Sequence, residues 1–154
     1  MKKTESLAKL FSPESYKLTI LAHSGDTAAE GLIIITGRKL RAPSRRLVFH
    51  QKDLKITSAK VTAHTKAGDK EIAVERINHH GSFEQVRLHT KETLYPGSYL
   101  VTMAFTVKPP ALEEPDVISA AYKAKESTKH FFPCIDEASA KDIPLEVTYE
   151  GKPA

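Results

Sequence analysis

Over most of the chain apolar and polar residues alternate with a period of two, the spacing of strands whose side chains point to opposite faces. Tyr16, Leu18, Ile20 and Ala22 alternate with Lys17, Thr19 and Leu21, and Ser24-Gly25-Asp26 marks a turn. Gly31 to Thr36 is a short continuous apolar run, the pattern of a strand buried on both faces. Ala42-Pro43-Ser44 breaks it, Leu47-Val48-Phe49 resumes, and Lys52-Asp53 opens the next turn. From Leu54 through Ile56, Val61 and Ala63 the alternation is clear, and Ala67-Gly68-Asp69 predicts a hairpin turn before Ile72-Ala73-Val74. Asn78-His79-His80-Gly81-Ser82 predicts another turn, with Val86 and Leu88 opening the strand beyond it.

Tyr95-Pro96-Gly97-Ser98 carries a strong turn signal, with proline where a fixed φ is useful and glycine after it. Tyr99, Val101, Met103, Phe105 and Val107 then share one face, while Leu100, Thr102, Ala104 and Thr106 share the other. Apolar residues on both faces predict a central strand. Lys108-Pro109-Pro110 ends it, because two prolines cannot continue a ladder. Val117 to Tyr122 is expected to form a short strand, Lys123 to Ile143 an irregular segment, and Leu145, Val147 and Tyr149 a last strand.

Eight or nine short, mostly antiparallel strands with regularly spaced turns predict an all-β sandwich. No internal repeat is visible. The chain has 154 residues, 40% hydrophobic and 27% charged, an ordinary balance for one globular domain. Residues 1–12 are expected to be a flexible or short helical lead-in.

Charge changes the picture in one place. The formal charge is +4, and Arg38, Lys39, Arg41, Arg45 and Arg46 stand close together. They read as a solvated strand edge and turn, since basic residues also protect edges. The functional alternative is an acidic or phosphate-bearing partner. No aromatic residue interleaves with the cluster, which argues against single-strand nucleic-acid stacking. The longest apolar run, Leu32-Ile33-Ile34-Ile35, is far too short to span a bilayer, and Met1 to Lys9 has no apolar stretch behind its charges to make a signal peptide. One cysteine, Cys134, excludes an internal disulfide and places the chain most naturally in the cytoplasm.

Candidate chemistry adds little. Seven histidines invite a metal, but no His is followed directly by Glu as a helical HExxH would require. His79 and His80 are adjacent, read as solvated turn residues, and neighbours do not readily share one tetrahedral ion. His50 ends a strand and reads as a hydrogen-bonded structural residue; His23, His64, His89 and His130 are scattered. Cys134 with His130 has the types of a thiol nucleophile and base, but Phe131-Phe132-Pro133-Cys134-Ile135 is an apolar setting that suits a buried, inert thiol. Asp136-Glu137 read as caps or ion-pair partners. Gly25, Gly31, Gly37 and Gly68 are isolated, so no phosphate loop exists. No catalytic, cofactor or metal residue is assigned.

Several segments, in order, resemble one family. Tyr16-Lys17-Leu18-Thr19-Ile20 resembles the opening strand "HYDLTL" of the aminopeptidase N family of zinc metallopeptidases. Glu30 to Ile35 resembles its "F-x-G-x-V-x-I" strand, and Leu47-Val48-Phe49-His50-Gln51-Lys52-Asp53-Leu54-Lys55-Ile56 its "IxLHAKDLxI" strand. Tyr95 to Val101 is similar to "L-x-x-G-x-Y-x-L-x-I", and Phe132-Pro133-Cys134-Ile135-Asp136-Glu137-Ala138 resembles "FPCFDEP", with Ala138 where the family has proline. The match covers about residues 13 to 150.

The resemblance implies the family's saddle-like amino-terminal β-sandwich, which precedes a catalytic domain carrying GxMEN, the zinc-binding HExxH and a further zinc-ligand Glu. None of these motifs occurs here, so the resemblance implies no zinc or other cofactor in this chain and no hydrolysis by it alone. In the family a "TQ-x-E" loop before "FPCFDEP" helps to hold the substrate's α-amine. Counting back from Pro133, its Gln and Glu fall on Tyr122 and Ala124, neither of which holds an ammonium by charge; Glu126 is two residues out of place. Three readings stay open: a docking domain that packs on an aminopeptidase catalytic domain, a degenerate relative acting as a protein-interaction scaffold, and a free-standing sandwich binding an acidic partner through Arg38 to Arg46. In each, the partner is a protein rather than nucleic acid or membrane.

Overall fold

The computed structural model describes residues 7–22, 29–52, 54–107, 120–124, 129, 132–137 and 143–151. A short 3-10 turn, Leu7–Lys9, leads into nine strands: β1 (Phe11–Ala22), β2 (Ala29–Lys39), β3 (Ser44–His50), β4 (Lys55–Thr65), β5 (Gly68–Ile72), β6 (Val74–His80), β7 (Gln85–Leu94), β8 (Gly97–Val107) and β9 (Leu145–Gly151). They form two sheets. The larger has the order β5-β4-β8-β2-β1-β9 and the smaller β3-β7-β6. All pairings are antiparallel except β1 with β9. The fold is all-β, and β8 is central, between β4 and β2.

The period of two becomes the core. Tyr16, Leu18, Ile20, Ile33, Ile35, Val61, Val101, Met103 and Phe105 leave the large sheet on one side; Leu47, Phe49, Val86 and Leu88 face them from the small one. Phe11 and Phe49 close the layer edge to face, with ring centroids 5.5 Å apart. Such a pair adds about 0.5–1.5 kcal/mol beyond the area it buries. In β2 the apolar run is buried on one face only: Ile33 and Ile35 are fully covered, Leu32 and Ile34 half-buried. Each sheet has one core face here, and the second face of β2 is the outer side of the sandwich.

Three expected elements differ. Asn78 to His80 belong to β6, and the reversal is a 3-10 turn, Gly81–Phe83. A bulge between Val74 and Arg76 breaks the alternation, and this edge strand is polar on its outer side, so its composition reads as loop. Residues 120–123 form a helical turn, closed by the Ala124 N–H donating to Ala120 O at 3.0 Å, where a strand was expected; 117–119 lie outside the described residues. Ala-Ala-Tyr-Lys-Ala has good helix propensity, which favours the turn of helix over a strand. Phe11 and Ser12 already belong to β1, within the stretch expected as lead-in, because Phe11 is a core residue.

Candidate functional site

Three of the segments that carried the family resemblance, those around Tyr16, His50 and Cys134, converge on one place. His50, at the end of β3, donates its N–H to Cys134 O at 2.7 Å, and Cys134 N–H returns to His50 O at 3.1 Å. Next along, Lys52 N–H donates to Lys129 O at 2.9 Å. The Asp136 N–H donates to His50 Nδ1 at 2.9 Å, and the Ile135 N–H to the Tyr16 hydroxyl at 3.1 Å. Phe132, Cys134 and Ile135 are buried, and the Tyr16 ring meets Phe132 and Tyr122 edge to face at 5.9 and 6.2 Å. Glu137 accepts from the N–H groups of Leu7 and Ala8 at 2.7 and 3.3 Å, capping the first 3-10 turn.

The electrostatics of this place are those of a closed structural joint. Burial holds the Tyr16 phenol well above its usual range, with Cys134 adding to the shift. Burial pulls His50 down against the opposing pull of Glu137 and Asp136. A neutral imidazole matches the geometry, since Nδ1 must accept. Cys134 is a buried free thiol, and His130 lies outside the described residues. The Tyr16 hydroxyl and the Cys134 thiol are buried, and His50 Nδ1 is engaged by the Asp136 N–H.

The remaining predicted residues are dispersed. His79 is exposed but lies in β6 rather than in a turn, and its Nε2 accepts the Ile56 N–H at 3.0 Å, which ties the small sheet to β4. Its pKa is lowered, by burial first and then by Lys55. Tyr122, at the position of the family's amine anchor, is buried with its hydroxyl donating to Ile143 O at 2.6 Å; Ala124 is exposed, and 126 lies outside the described residues. Arg38, Arg41, Arg45 and Arg46 are exposed, whereas Lys39 is only 6% exposed and donates from Nζ to Ala42 O at 2.9 Å. Arg41 has a positive φ of 65° in the β2–β3 turn.

A groove of about 530 Å³ lies beside the β4–β5 and β7–β8 hairpins, lined in part by His64, Lys70, Tyr95 and Tyr99. Three of its polar groups are already engaged: His64 with Asp69 at 2.7 Å, Lys70 with Glu92 at 2.9 Å, and the Tyr99 hydroxyl with Tyr95 O at 2.7 Å. Among the described residues no three His, Cys, Asp or Glu side chains converge as metal ligands would. Sequence reasoning missed Gln51, whose buried amide donates to Gln85 O at 3.2 Å and accepts from Leu54 N–H at 3.0 Å. It also missed Arg76 and Arg87, which join His89 and Arg46 on one sheet face. Only the register β3-β7-β6 reveals that grouping.

No family model matches the chain, and no curated protein matches it by sequence. Among solved structures, the fold is similar to that of an M1 zinc metallopeptidase from Deinococcus radiodurans, crystallised as a glutamate-to-alanine mutant bound to a Tyr-Ser-Ala substrate. The TM-score is 0.58 at 16% identity, over 96% of this chain and 35% of that one. The likeness is one of fold, and this chain spans about a third of the other's length. No described helix is long and apolar enough to cross a membrane.

Proposed function

We propose that this chain is a non-catalytic, structural β-domain of an aminopeptidase N-like zinc metallopeptidase, docking on a catalytic domain that its own sequence does not contain. The observation that carries the reading is the fold match, which takes in 96% of this chain but 35% of the metallopeptidase. The motif segments support it. Phe132 to Glu137 and Leu47 to Lys52 are similar to the family's in sequence, and they meet through backbone bonds with their apolar side chains buried. Such segments hold a domain together. Zinc, water activation and peptide hydrolysis belong, in this reading, to the partner domain. The compartment we infer is the cytoplasm, on the single thiol.

A second reading, a degenerate relative that serves as a protein-interaction scaffold, is favoured by Tyr122. The family's amine-anchoring position holds a buried ring whose hydroxyl is committed to Ile143 O. One assay separates the two: hydrolysis of fluorogenic aminoacyl amides, with zinc added, by the 154-residue chain and by the product of its complete reading frame. The docking-domain reading expects turnover only from a longer product. Silence from both favours the scaffold, and turnover by this chain alone overturns both.

A further inference from the structure

The outer face of the small sheet carries a charge pattern that a sheet does not favour by itself. In register, Arg46 of β3 stands opposite His89 of β7, and His89 opposite Arg76 of β6. Two residues along, Val48 stands opposite Arg87, and Arg87 opposite Asn78. The intervening residues Leu47, Val86 and Leu88 fill the core, so these side chains leave from the other side. Arg46 and Arg76 are exposed, Arg87 and His89 half-buried. Arg87 is the diagonal neighbour of both Arg46 and Arg76, within reach for side chains of this length, so like charges crowd on this face.

On other faces several surface lysines have carboxylate partners, as in Lys17–Glu146, Lys60–Glu71 and Lys70–Glu92. Among the described residues neither Arg46, Arg76 nor Arg87 has such a partner. Arg87 reaches Gln85 Oε1 with Nη2 at 3.4 Å, near the limit of a hydrogen bond, while its Nε is buried without an acceptor. The field is felt by His89, whose pKa is lowered first by its desolvation and then by Arg76, Arg46, Arg87 and His80; Asn78 also faces it, at 3.1 Å. Around Arg46 the surface dips into a cavity of about 280 Å³, lined in part by Leu10, Phe11, Leu40, Val48 and Lys39.

We propose that this face docks an acidic segment of a protein partner, its carboxylates on Arg46, Arg76 and Arg87 and a flanking apolar side chain in the cavity beside Lys39. Carboxylates on alternate residues of an extended segment lie about 6.6 Å apart, the spacing of the two rows along β7. The cavity asks for an apolar side chain, which nucleic acid lacks. The described residues of the face include no aromatic on which a base would stack. The inference stands on this face alone and not on the aminopeptidase reading.

The test is fluorescence anisotropy of a labelled peptide of alternating Glu and Leu, titrated with the 154-residue chain at low salt. Saturable binding is expected, falling about tenfold at high ionic strength and lost when Gln replaces Glu. Arg76→Gln, at an exposed site, and Arg87→Gln should each weaken it about tenfold, while Lys60→Gln on the other sheet should not. Absence of binding by a chain with a folded amide spectrum overturns the proposal, as does binding indifferent to Arg76→Gln. Equally tight binding of duplex DNA or phosphatidylserine vesicles, with the same sensitivity, overturns the choice of an acidic protein.

Discussion

The imidazole of His50 accepts the backbone N–H of Asp136 at 2.9 Å, and it can do so only while Nδ1 is unprotonated. A histidine conserving its neutral form in this way binds fewer protons folded than unfolded. Its pKa is lowered from the ordinary 6.5, chiefly by burial. Stability therefore rises with pH between the depressed value and 6.5, and is complete above it. His79, accepting from Ile56 N–H, acts in the same direction.

Thermal melts from pH 8 to pH 5 should accordingly show a flat upper limb and a loss of stability as pH falls below about 6.5. His50→Asn, whose amide oxygen can take the place of Nδ1, should flatten part of that acid limb. His50→Leu leaves the Asp136 N–H without its acceptor and should lower stability by about 1–3 kcal/mol at neutral pH. An acid limb identical in wild type and His50→Asn would show that this imidazole is not the titrating group.

Tyr16→Phe removes the acceptor of the buried Ile135 N–H and keeps the aromatic packing. The expected cost is about 1–3 kcal/mol in denaturant unfolding. The phenol's folded pKa is raised, so the folded state holds its proton longer than the unfolded state does. That contribution to stability is present below pH 10 and is lost as pH rises further, and absorbance at the phenolate band should show Tyr16 titrating only on unfolding.

Gly31 and Gly37 both admit a close neighbour. A Cβ on Gly31 would stand 2.5 Å from Phe105 Cζ, and one on Gly37 2.5 Å from the Ser12 backbone oxygen and 2.6 Å from Phe11 Cε2. Overpacking of this kind costs about 1–3 kcal/mol, and more where backbone must shift. Gly37→Ala should therefore unfold at lower denaturant than Gly31→Ala, since the obstruction at Gly37 includes a strand backbone paired in β1–β2. Equal midpoints would mean that β1 gives way freely at its bulge between Pro13 and Ser15.

Glu137→Gln keeps one acceptor for Leu7 and Ala8 but loses the charge, whereas Glu137→Ala loses both. A capping contact is worth about 0.5–2 kcal/mol. Hydrogen exchange at the Leu7 amide should accelerate strongly in Glu137→Ala and modestly in Glu137→Gln. Unchanged exchange in both would place the anchoring of the first turn in the burial of Leu7 alone.

The sequence by itself determined the all-β class, the strand alternation from Tyr16 to Phe105 and the turns at Gly68 and at Tyr95-Pro96, because a period of two and turn chemistry are local properties. It also marked Phe132 to Glu137 and Leu47 to Lys52 as special, and read His50, Cys134 and Glu137 as structural. Only the tertiary structure decided that these segments bond to one another and to Tyr16, since residues more than eighty positions apart meet there and one partner in each bond is a backbone group that carries no sequence signature. It alone converted His79 from a turn residue to a tie between sheets and Tyr122 from a strand residue to a helical one. It alone set Arg46, His89 and Arg76 in one row, because strand order and register are fixed by how the two apolar faces close on each other, and a chain read one residue at a time does not contain that closure.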